Sequence, residues 1–134
     1  MTPDEMKQRT RALGLRVIRL VESLPSTRTA DVIGKQLLRC GTSVGANYRA
    51  ACRARSRPDF TAKMGIVEEE ADEILYWIEM LIDCGLVKQN RVKSLLEETN
   101  EIVSMVVSSI RTARANGNRR GSNKSAIRIP QSAI

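Results

Sequence analysis

The stretch Leu37–Phe60, "LLRCGTSVGANYRAACRARSRPDF", decides the fold, because its two glycines belong either to a phosphate-cradling loop or to a helix. A Walker loop needs a glycine-rich turn after a strand, closing on Gly-Lys-Ser/Thr. "GTSVG" lacks the lysine, the final glycine and the strand, and the dinucleotide fingerprint fails as well. As a helix the segment is coherent. Gly41 and Gly45 share one face, with Ala46, Ala50 and Ala51 on adjacent rows, so absent side chains would let a second helix come close. A mid-helix glycine costs about 1 kcal/mol and needs such a reason.

On either side of the glycines an apolar stripe runs Ala30, Ile33, Leu37, Cys40, Val44, Asn47 and Ala51, with Ser26 or Thr27 available as N-cap. Asn47 is its one polar member. Its amide is expected to be buried and to find partners among Glu69, Glu70 and Glu73 at similar depth, a polar pair that would fix register. Ahead of this helix, Thr2-Pro3-Asp4-Glu5 has the form of a capping box, and Met6, Thr10, Leu13, Val17, Leu20 and Leu24 form a second stripe ending at "LPST". After it, Ser56 with Pro58 and Asp59 caps a third, whose Phe60, Met64, Val67, Ala71, Ile74, Ile78 and Leu81 step by four and three up to Gly85. The fourth carries Val92, Leu95, Leu96, Thr99, Ile102, Val103, Val106, Ile110 and Ala113, with Asn116-Gly117 as the expected stop. Short links between four such helices predict an all-α, antiparallel, up-down-up-down four-helix bundle over residues 1–116. Residues 117–134 have no helical period and are expected to form a basic, flexible tail, whose "AIRIP" offers an edge to a neighbouring subunit.

Composition agrees with one helical domain: of 134 residues 42% are apolar but only 3% aromatic. The net charge of +7 is unevenly placed, at +6 over residues 26–57, −7 over 58–85 and +4 over 116–134. That points to an anionic partner for the second helix and the tail. Arg39, Arg49, Arg53 and Arg57 fall roughly on one helical face, with Arg55 beside them. They either pair with the acidic third helix or contact phosphate, and Arg119, Arg120, Lys124 and Arg128 would extend the phosphate surface. With few aromatics to stack bases, contact would be to backbone or duplex shape more than to sequence.

Catalytic and metal chemistry find no footing in the residues. The "EEEADE" cluster invites a di-iron reading, but the chain has no histidine to complete Glu-x-x-His pairs. A nucleophile with a base is equally unsupported, so no enzyme activity, cofactor or metal is expected. The three cysteines match no metal spacing and are expected to be reduced, mostly packed thiols. The polar N-terminus is unlike a signal peptide and no apolar run approaches a membrane span, which predicts a cytoplasmic protein without a membrane partner. Trp77 beside Ile74, Ile78 and Leu81 makes the third helix's apolar face wide, either for oligomer burial or for a fourth helix packing over it.

The elements Ser43-Val-Gly-Ala-Asn-Tyr48, Ala51-Cys-Arg-Ala54 and Glu70-Ala-Asp-Glu73 with Tyr76-Trp77 resemble the four-helix-bundle family encoded in intervening sequences of bacterial 23S ribosomal RNA genes, the S23-like proteins. The resemblance spans roughly Lys7 to Arg114 and is strongest from Leu37 to Leu86. It implies small antiparallel bundles that assemble into ring-shaped homopentamers, without an assigned catalytic site. A distantly similar branch, the accessory proteins of diversity-generating retroelements, implies a basic pentamer that binds a reverse transcriptase and nucleic acid. Asn47 corresponds to the family's helix-two asparagine and Arg49 to Arg57 to its basic continuation, while Ala50 stands where many relatives carry Glu. Two functions are thus expected in order: a non-enzymatic homo-oligomer binding RNA or DNA backbone, linked to ribosomal RNA, or a protein-interaction adaptor such as a reverse-transcriptase accessory subunit.

Overall fold

The computed structural model describes residues 1–119. Four helices follow one another: α1 (Pro3–Glu22), α2 (Arg28–Ala51), α3 (Arg57–Asp83) and α4 (Gln89–Arg119). Their links, residues 23–27, 52–56 and 84–88, are too short for anything but antiparallel neighbours. Each helix packs closely on the next, whereas α1 and α4 touch far less than the sequential neighbours do. The result is a four-helix bundle with a loose α1–α4 seam.

Local chemistry explains where the helices start and stop. Thr2 Oγ1 accepts the Glu5 N–H at 3.1 Å, and Glu5 Oε2 accepts the Thr2 N–H at 3.1 Å, a closed capping box. Thr27, not Ser26, caps α2 by accepting the Ala30 N–H at 3.2 Å. Ser56 caps α3 by accepting the Asp59 N–H at 3.1 Å. The reciprocal half of that expected box is replaced: Asp59 accepts the Arg55 N–H at 3.1 Å and Lys63 Nζ at 2.6 Å. A lysine one turn further on and an amide one residue further back hold the carboxylate between them. Lys63 first and Arg55 second keep its carboxyl below the ordinary aspartate value. At the other end of α3, Gly85 has φ +82°, donates to Ile82 O, and is followed by Leu86 donating to Leu81 O, both at 3.0 Å. That is a Schellman ending, which a glycine adopts without Cβ strain.

The helix that outruns its expected end is α4. It passes through Asn116 and Gly117 to Arg119. One glycine's cost of about 1 kcal/mol does not stop a helix when tertiary contact favours continuing. Here Gly117 lies against Arg57: a Cβ on it would sit 3.0 Å from the arginine's Cδ.

The core is made by the predicted stripes. Met6, Leu13 and Val17 of α1, Leu37, Cys40 and Val44 of α2, Phe60 through Leu81 of α3, and Ile102 and Val106 of α4 are all buried in one cluster. Full burial of a Leu, Ile or Val side chain contributes about 1.5–3 kcal/mol each. Leu20 and Leu24 are only half-buried, because α1 has ended or is ending beside them. One position of α2 differs from expectation. The stripe passes from Val44 to Tyr48, which is fully buried, and on to Ala51, leaving Asn47 half-buried at the margin. Its Nδ2 donates to Ser43 O of its own helix at 2.9 Å, so the expected pair with Glu70 or Glu73 is not formed. A tyrosine ring offers far more apolar area than an amide, and it takes the inward position.

Candidate nucleic-acid interface

Small residues set the geometry of the α1–α2 face. A Cβ on Gly41 would come within 2.5 Å of Val17 Cγ1, and one on Gly45 would lie 3.4 Å from the Thr10 carbonyl. The two helices therefore approach closely where Gly41 and Gly45 sit. Above this crossing the longer side chains of α1 and α2 flank a groove of about 580 Å³. Its floor includes Thr10, Gly14 and Gly45. Lys7 and Arg11 come from α1, Arg49 from the last turn of α2, and Arg53 from the link that follows.

No carboxylate lines this groove. Lys7 has Asp4 at 4.0 Å, a loose pair with the aspartate side chain 89% exposed. Among the described residues Arg11, Arg49 and Arg53 make no ion pair, and all three are exposed. Three arginines without a compensating acid among the described residues, and a lysine only loosely paired with Asp4, form a local positive field around one depression that attracts anions. Arginine forks suit phosphate in particular.

The structure divides the remaining candidate residues. Arg39 is held by the neighbouring helix, with Nη1 3.0 Å from Glu70 Oε2 and Nη2 2.6 Å from Glu73 Oε1. Glu70 first, then Glu73, favour its charged form and raise its pKa. Arg39 thus belongs to the α2–α3 seam, and Glu70 and Glu73 serve it in place of Asn47. Arg53 is not helical, since α2 ends at Ala51 and the Cys52–Ser56 link breaks the face that ran from Arg39 to Arg57. Arg55 is exposed in that link. Arg57 was expected on the same open surface but is 7% exposed, in the first turn of α3 and packed against Gly117. Its burial by the end of α4 removes it from any surface for phosphate. Arg119 closes α4, while Arg120, Lys124 and Arg128 lie outside the described residues. Because Gly117 meets Arg57, the described chain ends at the same end of the bundle as Arg53 and Arg55.

Lys7 and Arg11 were not singled out from sequence. Their spacing of one helical turn was visible, but only the α1–α2 crossing brings them to Arg49 and Arg53. A second arginine clasp lies on the α1–α4 seam. Arg9 Nε and Nη2 each donate to a Glu98 oxygen at 2.7 Å, and Nη2 reaches Glu101 at 3.3 Å. These hydrogen bonds hold the Glu98 carboxyl below its ordinary value.

The other reactive groups are buried or dispersed. Burial, reinforced by Glu73, pushes the Cys40 thiol up to about 12, which keeps it protonated and a poor nucleophile. Cys52 is half-buried and Cys84 exposed, so the packed-thiol expectation describes Cys40 best. Tyr48 is likewise raised, by burial first and Cys52 second. Among the described residues no three His, Cys, Asp or Glu side chains come together as a metal site. No helix among them is long and apolar enough to cross a membrane.

Comparison with known proteins places this fold in a wider set. Residues 4–108 match the family described as 23S rRNA-intervening sequence protein. A crystal structure of a protein of unknown function from the S23 ribosomal protein family of Bacteroides thetaiotaomicron is similar over 83% of this chain and 99% of its own. The two share 34% sequence identity, with a TM-score of 0.77. No curated protein matches the chain.

Proposed function

The chain belongs to the 23S rRNA-intervening sequence protein family, and from that premise we propose that it is a non-enzymatic protein that binds nucleic-acid backbone, RNA in first place, through the α1–α2 groove. One observation carries the reading: Lys7, Arg11, Arg49 and Arg53 converge on a groove with no carboxylate in its lining. The family description, which names ribosomal RNA, favours RNA over DNA. Arg55, exposed in the link after Arg53, adds a further cation at that end of the bundle, so that the basic surface is open in place of an enclosed pocket.

The test is a salt titration of RNA binding by the full chain. Four phosphates neutralised on a single strand give a slope of about −2.8 in log affinity against log salt, or roughly 50-fold weakening between 50 and 200 mM. Replacing Arg11, Arg49 and Arg53 together by glutamine should flatten that slope by about 2. Undetectable affinity at low salt, or an unchanged slope in the triple variant, would sink the assignment.

A second reading, a protein-interaction adaptor working as a homo-oligomer or beside a reverse transcriptase, is favoured by a different surface. Along α3, Ile66, Tyr76 and Met80 are 43%, 55% and 37% exposed, interleaved with exposed Glu69, Asp72 and Glu79. Apolar side chains of that size on one helical face are suited to a protein partner. Tyr76→Ser with Met80→Ser, followed by light scattering, checks it: an unaltered particle mass and unaltered partner capture would remove this reading.

A further inference from the structure

The groove is not basic along its whole length. The four cations gather where the beginning of α1 meets the end of α2, whereas further along α1 the lining becomes Leu15, 47% exposed, and the half-buried Ile18. Between the two ends the floor is small, with Gly14, Gly45 and Ala46. A charged end, a low floor and an aliphatic shelf thus follow one another in a single depression.

The floor hydroxyls are turned away from any ligand. Thr10 Oγ1 donates to Met6 O at 2.9 Å, and Thr42 Oγ1 donates to Leu38 O at 2.6 Å, both within their own helices. The one side-chain amide of the lining, Gln8, lies beside Lys7 at the charged end, so the aliphatic end around Leu15 and Ile18 offers apolar area with little hydrogen-bonding capacity to read a base edge. A duplex keeps its bases stacked inside and would use the cations alone. An unstacked nucleotide has the matching profile, an anionic phosphate at one end and a flat, weakly polar base at the other.

We infer that the groove holds one unstacked nucleotide of a single-stranded segment, its phosphates at Lys7, Arg11, Arg49 and Arg53 and its base over Leu15 and Ile18, without selecting the base. This rests on the nucleic-acid reading above and sharpens it to single strands. Leu15 is exposed, so its replacement leaves the core intact. The base loses only its shelf.

The experiment measures fluorescence anisotropy of the full chain with a 12-nucleotide oligouridylate, an oligoadenylate of equal length, a 12-base-pair RNA duplex, and UMP as competitor. Wild type is expected to prefer both single strands over the duplex and to bind the two with similar affinity. Leu15→Ser should weaken single-strand binding about fivefold, the worth of roughly 40 Å² of apolar contact, and leave duplex binding unchanged. An unaltered thermal melt of Leu15→Ser confirms that folding is not the cause. Equal affinity for strand and duplex, or an equal loss on both in Leu15→Ser, overturns the inference while the backbone-binding reading stands. UMP binding as tightly as the strand overturns the strand as occupant in favour of a free nucleotide. No binding by any nucleic acid at low salt overturns both readings together.

Discussion

Arg39 and Arg49 leave the same helix into opposite surroundings. On the α2–α3 seam Arg39 meets Glu70 and Glu73 and is consumed in holding two helices together. On the α1–α2 face Arg49 joins Lys7, Arg11 and Arg53 around a groove without acids. Identical side chains therefore serve cohesion in one place and leave an unbalanced field in the other. What separates them is the neighbouring helix: α3 carries more than half of the chain's acidic side chains, while the groove-facing side of α1 carries cations.

Neutralising the groove gives the largest effect. Arg11, Arg49 and Arg53 changed together to glutamine should lower RNA affinity roughly 10²–10³-fold at 50 mM salt, measured by anisotropy, with an unchanged thermal midpoint because none makes an ion pair within the described fold. A drop in stability would show instead that these arginines hold neighbouring helices, as Arg39 does.

The crossing beneath the groove comes next. Gly41→Ala should destabilise by about 1–3 kcal/mol in urea titrations despite its better helix propensity, since the new methyl meets Val17 at 2.5 Å or must displace it. Gly65→Ala has the opposite sign. Nothing lies within 4 Å of the added Cβ, so about 0.5–1 kcal/mol of stabilisation is expected.

A smaller effect belongs to the seam clasp of Arg9. Glu98 has its pKa depressed in the folded state, so the stability it contributes is present above the unfolded value near 4.5 and is lost as pH falls through the folded value. Arg9→Gln should remove about 1–2 kcal/mol at neutral pH and flatten the fall in stability below pH 4.5, as followed by denaturant midpoints.

Arg39→Gln is the smallest and the sharpest control. Arg39 is half-exposed while its partner Glu70 is 16% exposed, so the thermal midpoint should fall only modestly, and RNA affinity should not fall although a positive charge is gone. A loss equal to that of Arg49→Gln would erase the distinction between the two regions.

Much of the fold was legible because helical burial repeats. Phe60, Met64, Val67, Ala71, Ile74, Ile78 and Leu81 alternate steps of four and three, and every one is buried. The same rule failed at Asn47 for a simple reason. From Val44 to Ala51 a stripe can pass through position 47 or 48, and period alone does not choose between them. Apolar area chose Tyr48. At the candidate site, the arginines of "RAACRARSR" were plain in the sequence, but their roles were not. The end of α2 at Ala51 turns Arg53 into the link, and α4, running on past its expected stop, covers Arg57.

By itself the sequence determined four helices, most of their caps, their buried stripes and the absence of a phosphate loop, all properties fixed within one or two turns of chain. Tertiary structure alone decided which cations are neutralised and which make no ion pair among the described residues. Coulomb partners come from the neighbouring helix, dozens of residues away, as Arg39 with Glu70 and Glu73 shows. It also settled the glycines of the opening stretch: they admit α1 closely enough to bring Lys7 and Arg11 beside Arg49, and the groove belongs to the crossing and to neither helix alone.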